Sequence, residues 1–202
     1  MSFFENTKKP EGIGGRLMVA AMNLGHDSLS NWGLGFLEVP DGARILDCGC
    51  GGGANIKKLL AKYKSSKVSG VDYSAVSVEK SRRLNRAEIE NNRCSVICAS
   101  VAKLPFSEDS FDIVTAFETV YFWPGLAECF GEVFRVTKNG GKFLVCNECD
   151  GKNEKNDKWT KIIPGMTIHT AAGLEAALEQ AGFRNITTHG NNKGWLCVSA
   201  EK

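Results

Sequence analysis

The sequence predicts an α/β fold: a seven-stranded, mostly parallel sheet with one antiparallel strand, helices on both faces and a helical cap at the N-terminus. Three observations predict it. From about residue 43 onward, short β-branched or apolar runs alternate with amphipathic ones, the pattern of strands joined by crossover helices. The run Ile45-Leu46-Asp47-Cys48-Gly49-Cys50-Gly51-Gly52-Gly53-Ala54 places a glycine-rich turn between a strand and a helix. The last two strand candidates are joined only by Gly190-Asn191-Asn192-Lys193-Gly194, a link that permits an antiparallel hairpin and no parallel crossover.

In chain order, the strand candidates are Arg44–Asp47, Lys67–Asp72, Ser95–Cys98, Asp112–Phe117, Lys142–Asn147, Asn185–His189 and Trp195–Ala200. Between the first two, Ile56, Leu59, Leu60 and Tyr63 recur at helical spacing; Val76, Val78, Leu84 and Ile89 suggest one further helix after the second strand. Pro124 precedes a helix over Leu126–Val136, and Thr170 caps one over Ala171–Ala181 that Gly182 stops. Residues 1–40 carry scattered glycines among apolar residues and read as one or two helices laid before the sheet. The expected division is therefore a cap or lid over 1–40 and a sheet domain over 41–202.

Composition excludes several function classes. The chain has 202 residues, of which 43% are hydrophobic and 24% charged, enough to bury a core. Its longest stretch without Asp, Glu, Lys or Arg is the 13 residues Ile162 to Leu174, broken by Pro164 and Gly165, whereas a membrane-spanning helix needs about 20 apolar residues. Charges and Pro10 stand where a signal peptide would have its apolar core, so the expected location is cytoplasmic. A net charge of +2 gives no field that argues for nucleic acid or a membrane as partner. The basic groups around Lys57, Lys58, Lys62, Lys64, Lys80, Arg82, Arg83 and Arg86 read as solvated helix faces.

Most of the eight cysteines sit in apolar strand-like runs and read as buried free thiols rather than a disulfide framework. Cys146 and Cys149 have CxxC spacing. However, no second pair with that spacing completes a zinc set, and a redox pair would open a helix rather than leave a strand. No metal is expected.

Glycine makes up 22 of the 202 residues, and eleven of these lie between Gly12 and Gly53. A cluster marks places where the chain turns tightly or approaches something closely. In open α/β sheets, ligands bind at the carboxyl ends of strands, with the first strand-to-helix turn the usual nucleotide site. Asp72 ends the next strand, about where an acidic residue takes the ribose hydroxyls of an adenosine cofactor. Gly49-x-Gly51-x-x-Ala54 also fits the dinucleotide fingerprint, so a nicotinamide-dependent oxidoreductase is an alternative. Two features argue against it. Asp47 opposes a pyrophosphate but suits a cation, and too little chain follows the strand ending at Phe117 for a separate substrate domain.

Asp47-x-Gly49-x-Gly51-x-Gly53 resembles the first motif of the class I S-adenosylmethionine-dependent methyltransferases. Val68-Ser69-Gly70-Val71-Asp72-Tyr73-Ser74 is similar to the second, and Ala99-Ser100-Val101-Ala102-Lys103-Leu104-Pro105-Phe106 to the third. The run Ser107 to Val114, Gly140-Gly141-Lys142 and Ala181-Gly182-Phe183 continue the likeness over roughly residues 42 to 200. Ser100 stands where many members carry Asp, so a carboxylate contact to the adenine amino group is missing.

The resemblance implies a Rossmann-like fold, S-adenosylmethionine as cofactor and methyl transfer to a small molecule. A non-catalytic S-adenosylmethionine-binding protein is the remaining alternative. By the same resemblance, Gly49, Cys50 and Gly51 line the cofactor, Asp72 holds the ribose hydroxyls and Tyr73 lies beside the adenine. Ser100 and Val101 frame the adenine edge, Phe117 lies near the methionine part and Asp47 faces the amino-acid end.

Methyl transfer from a sulfonium needs alignment and no protein nucleophile. A base matters only where the acceptor carries a proton. The expected acceptor wall is Phe117-Glu118-Thr119-Val120-Tyr121-Phe122-Trp123-Pro124. Glu118 and Tyr121 are the catalytic candidates there, with Phe122 and Trp123 read as packing. His26, on the segment expected to cover the cofactor, is the third candidate. His169 reads as a helix-start residue and His189 as a strand-end residue, neither with a role. This wall lacks the Asp-Pro-Pro-Tyr pattern of enzymes that methylate nucleic-acid bases, which also favours a small-molecule acceptor.

Overall fold

The structure is a computed structural model that describes residues 27–152 and 157–202. His26 and most of the expected cap lie outside the described residues. The described chain opens with α1 (Asp27–Gly33) and a 3-10 turn over Leu34–Phe36. There follow β1 (Arg44–Cys48), α2 (Ala54–Lys62), β2 (Lys67–Asp72), α3 (Ala75–Leu84), α4 (Arg86–Glu90), β3 (Cys94–Cys98) and β4 (Phe111–Phe117). The rest is α5 (Leu126–Val136), β5 (Thr137–Asn147), α6 (Asp157–Ile162), α7 (Ala171–Ala181), β6 (Arg184–Gly190) and β7 (Leu196–Glu201).

Seven strands form one sheet in the order β3-β2-β1-β4-β5-β7-β6. β7 runs antiparallel to both β5 and β6, and the remaining pairs are parallel. The chain leaves β1 toward β2 on one side while β4 lies on the other, so a crevice opens at the carboxyl ends of β1 and β4.

Both faces of the sheet are covered. On one, Leu29 and Leu34 of the N-terminal segment and Ile56, Leu59 and Leu60 of α2 pack on Ile45, Val68, Ile113, Leu144 and Cys146. On the other, Cys129, Phe130, Val133 and Val136 of α5 and Leu174 and Leu178 of α7 pack on Leu46, Val114, Phe143, Val145 and Val198. Alternate residues of one strand thus feed two different cores, which is why the central strands read as continuous apolar runs.

Several elements differ from expectation, each for a local reason. The single helix expected after β2 is split at Asn85, whose buried amide donates to the carbonyls of Gly53 and Ser81 and leaves the helical path at φ −106°, ψ 20°. β5 begins at Thr137 rather than Lys142, because the chain pairs with Phe111 before a register irregularity that contains Gly140 and Gly141. The short helix α6 was not expected. Lys58, Lys62 and Arg82, expected as solvated charges, bind backbone carbonyls instead. Lys58 and Lys62 tie α2 to Asp27 and Leu34, and Arg82 ties α3 to Val96 on β3.

Candidate functional site

The turn after β1 is fixed from three directions. The amides of Gly49 and Cys50 both donate to the Val71 carbonyl, at 2.7 and 3.0 Å. The amide of Gly51 donates to Asp72 Oδ2 at 2.9 Å, while Ser74 N donates to Asp72 Oδ1 at 2.8 Å. One carboxylate therefore joins the glycine turn to the start of α3. Burial raises the pKa of Asp72, and the two amide donors oppose the shift.

The three left-handed glycines of this turn are required for different reasons. Gly51, at φ +50°, faces open space, consistent with a backbone left clear for a ligand. Gly49, at φ +71°, faces Thr119: a Cβ there would lie 1.9 Å from Thr119 Oγ1. Its missing side chain makes room for the acceptor wall. A Cβ on Gly53 would strike Ser81 and Asn85 of the α3–α4 junction.

The other expected cofactor residues surround the crevice unequally. Tyr73 is 40% exposed at the rim. Ser100 caps the turn Val101–Lys103 by accepting from Ala102 N, and Val101 joins the core beneath it. Cys50 is buried, its sulfur against Gly70, so only its backbone can face a ligand. Phe117 is buried against Gly33 of α1. A Cβ on Gly33 would also lie 2.7 Å from Cys146 Sγ, so this glycine serves close helix-to-sheet packing.

Asp47 is buried, and its carboxyl is only half satisfied. Thr115, its register partner on β4, donates to Oδ1 at 2.8 Å, whereas Oδ2 has no partner among the described residues. Burial pushes the pKa up to about 7; the Thr115 bond lowers it and the charge of Asp72 adds to the rise. A buried, half-satisfied acid is a place where a cationic group would be stabilised.

The acceptor wall is braced across two strand ends. Glu118 sits at φ +58°, rare for a non-glycine residue, with its amide donating to the Cys146 carbonyl at 3.0 Å. Its Oε1 accepts from the Tyr121 hydroxyl at 3.2 Å and from the amide of Glu148. Tyr121 is 3% exposed, and its hydroxyl also accepts from Cys149 N at 3.0 Å. The Tyr121 hydroxyl thus links the segments that follow β4 and β5. Burial raises the Glu118 pKa to about 8, with the charge of Glu148 contributing. Burial, then the charge of Glu118, pushes the Tyr121 phenol well above its usual range. Trp123 donates to Thr119 Oγ1 at 3.2 Å and stacks on Phe143, so it is packing as expected.

The sequence did not single out Thr115, Thr119 or Glu148. Thr115 and Glu148 come close to Asp47 and Glu118 through strand pairing, which has no signal in local spacing. Thr119 lies inside the expected wall and could have been weighed with Glu118. His169 bonds the backbone of Val120, and burial lowers its pKa. The CxxC sulfurs do not form a unit: Cys146 faces Cys197 across the β5–β7 pair, and Cys149 N is bonded to Tyr121. Among the described residues, no three His, Cys, Asp or Glu side chains gather as a metal site.

A Rossmann-like sheet with a glycine turn beside two strand-end carboxylates defines a nucleotide-type cofactor-binding protein. Residues 46–145 match the methyltransferase domain family. The chain belongs to the class I S-adenosylmethionine-dependent methyltransferases. It is similar to cycloartenol-C-24-methyltransferase of Arabidopsis thaliana, 32% identical over 161 residues covering 74% of this chain and 47% of that protein. A sterol 4-C-methyltransferase of Caenorhabditis elegans is 30% identical over 189 residues, covering 81% and 53%. The chain thus spans about half the length of these relatives. Among solved structures, phosphoethanolamine N-methyltransferase 2 of Haemonchus contortus shares the fold, with a TM-score of 0.82 and 16% identity over 100% of this chain and 61% of that one.

Proposed function

We propose that this chain transfers a methyl group from S-adenosylmethionine to a small-molecule acceptor by in-line displacement. The observation that carries this reading is the pair of strand-end carboxylates around the glycine turn. Asp72 is held in place by backbone amides, and Asp47 is buried with one oxygen unpartnered among the described residues. These groups fit an adenosyl ligand with a cationic amino-acid end better than a pyrophosphate. S-adenosylmethionine, when bound, supplies an electrophilic methyl group on a sulfonium.

The chain's own residues bind and align. Asp72 takes the ribose hydroxyls, and Gly49, Cys50 and Gly51 line the ligand with their backbone. Tyr73 covers the adenine, Ser100 and Val101 frame its edge, Phe117 lies near the methionine part and Asp47 holds the amino group. Alignment of this kind contributes up to roughly 7–11 kcal/mol in favourable cases. Glu118, with its pKa raised to about 8, is the proton acceptor for an acceptor molecule that carries a proton. Tyr121 positions it. His26 keeps its standing as a candidate from sequence alone.

The named relatives act on sterols, which supports an apolar acceptor of small-molecule size. We further place the chain in the cytoplasm, with residues 1–40 as a cap on the domain over 41–202 and nucleic acid excluded as substrate. The near balance of charge supports the last of these. No helix among the described residues is long and apolar enough to cross a membrane.

The test is a screen of small-molecule and lipid fractions with the labelled methyl donor, beside thermal-shift measurements. Stabilisation by S-adenosylhomocysteine and labelled product are expected. Stabilisation by NADH in place of S-adenosylhomocysteine would sink the reading.

A further inference from the structure

Five large apolar side chains are exposed among the described residues: Phe36, Tyr73, Leu84, Trp159 and Ile162. Phe36 is stacked on His189, with ring centroids 3.9 Å apart, and Tyr73 belongs to the cofactor rim. Leu84 stands alone at the end of α3. Trp159 and Ile162 stand together on α6, one helical turn apart and 36% and 40% exposed.

The surroundings of this pair are basic. α6 itself carries Lys158 and Lys161 against Asp157. Lys158 and Lys161 are exposed, and Lys158 Nζ lies 4.9 Å from the centre of the Trp159 ring. Ile163, the next residue, is buried and anchors α6 to the body. The chain that follows is tied to the acceptor wall, where Thr167 N donates to the Tyr121 carbonyl at 2.9 Å.

We propose that α6 docks on an anionic lipid surface, with Trp159 and Ile162 entering the headgroup layer and Lys158 and Lys161 meeting the lipid phosphates. Tryptophan, with an apolar body and a polar N–H, suits that boundary, and lysines beside it meet the charge of an anionic leaflet. Two side chains on a short helix are too small a patch for a stable protein interface, which needs about 800 Å² per partner. A lipid surface needs no matching shape. Whole-chain charge balance gives no reason to expect a membrane partner; two exposed lysines beside an exposed tryptophan and isoleucine on one helix do. The docking stands independently of the methyl-transfer reading.

The experiment is co-sedimentation of the full chain with vesicles of phosphatidylcholine alone and of phosphatidylcholine mixed with phosphatidylserine. Pelleting with the mixed vesicles only is expected. K158Q with K161Q should lower the partition coefficient about 25-fold, about fivefold for each lysine. Brominated lipid should quench part of the tryptophan fluorescence in the unaltered chain, and that part should vanish in W159A. Retained stabilisation by S-adenosylhomocysteine shows that each variant is folded. Absence of pelleting with mixed vesicles, equal pelleting of the double glutamine variant, or unchanged quenching in W159A would each overturn the proposal. Binding to polyglutamate but not to vesicles would overturn it in favour of an acidic protein partner.

Discussion

Replacing Gly49 with Ala tests what this glycine is for. Two costs arise from the structure. An L-residue at φ +71° costs roughly 1–2 kcal/mol. The new methyl would also lie 1.9, 2.6 and 3.0 Å from Oγ1, Cβ and Cγ2 of Thr119, an overpacking of the kind that costs about 1–3 kcal/mol. The expected loss is therefore about 2–5 kcal/mol, measured by urea denaturation. T119G removes all three of the clashing atoms. The second cost should then disappear, and the double-mutant cycle should show about 1–3 kcal/mol of favourable coupling, with only the backbone cost left in the double variant. Cofactor affinity, measured by calorimetry with S-adenosylhomocysteine, should fall in G49A and recover substantially in G49A/T119G. If G49A is as stable as the unaltered chain yet binds the ligand poorly, and T119G brings no recovery, the glycine is kept clear for the ligand and not for Thr119.

Three other outcomes are expected. Asp72→Asn leaves only one of the two backbone amides with a side-chain acceptor; stability should fall by roughly 1–3 kcal/mol and cofactor affinity with it, as calorimetry would show. Burial raises the Asp47 pKa from 3.8 to about 7, so its contribution to stability is full below pH 4 and is lost as pH rises to about 7. Asp47→Asn should flatten that part of the melting temperature–pH curve, and the affinity of the unaltered chain for S-adenosylhomocysteine should rise over the same window as Asp47 ionises. Glu118→Gln keeps an oxygen for the Tyr121 and Glu148 donors; it should lower the transfer rate by roughly 10²–10⁴-fold for a proton-bearing acceptor while leaving cofactor affinity unchanged.

Legibility in the sequence tracked the range of the interactions involved. α5 and α7 are legible to the residue because Thr170 and Gly182 mark the two ends of α7 and Pro124 stands just before α5. The glycine turn and Asp72 were visible for the same reason, as strand, turn and acid lie close together in the chain. The break at Asn85 was not visible, because it depends on a carbonyl 32 residues away. Nor was the pairing of Asp47 with Thr115 or of Glu118 with Glu148, since strand register decides which side chains meet. Nor are the two partners of the Tyr121 hydroxyl, Glu118 Oε1 and Cys149 N, visible in the sequence, since the second lies 28 residues away. His26 lies outside the described residues, so its candidacy is unchanged.

The double grip on Asp72 has a consequence for how the site meets its ligand. Each carboxylate oxygen accepts one backbone amide and still has a second lone pair. Two ribose hydroxyls can therefore be received without surrendering either amide and without a change of side-chain rotamer. The protein has already ordered its strongest acceptor during folding, so the entropy of orienting that carboxylate does not fall on the binding step. Recognition of the nucleoside half should accordingly be fast and nearly rigid, leaving conformational adjustment to the acceptor half of the crevice.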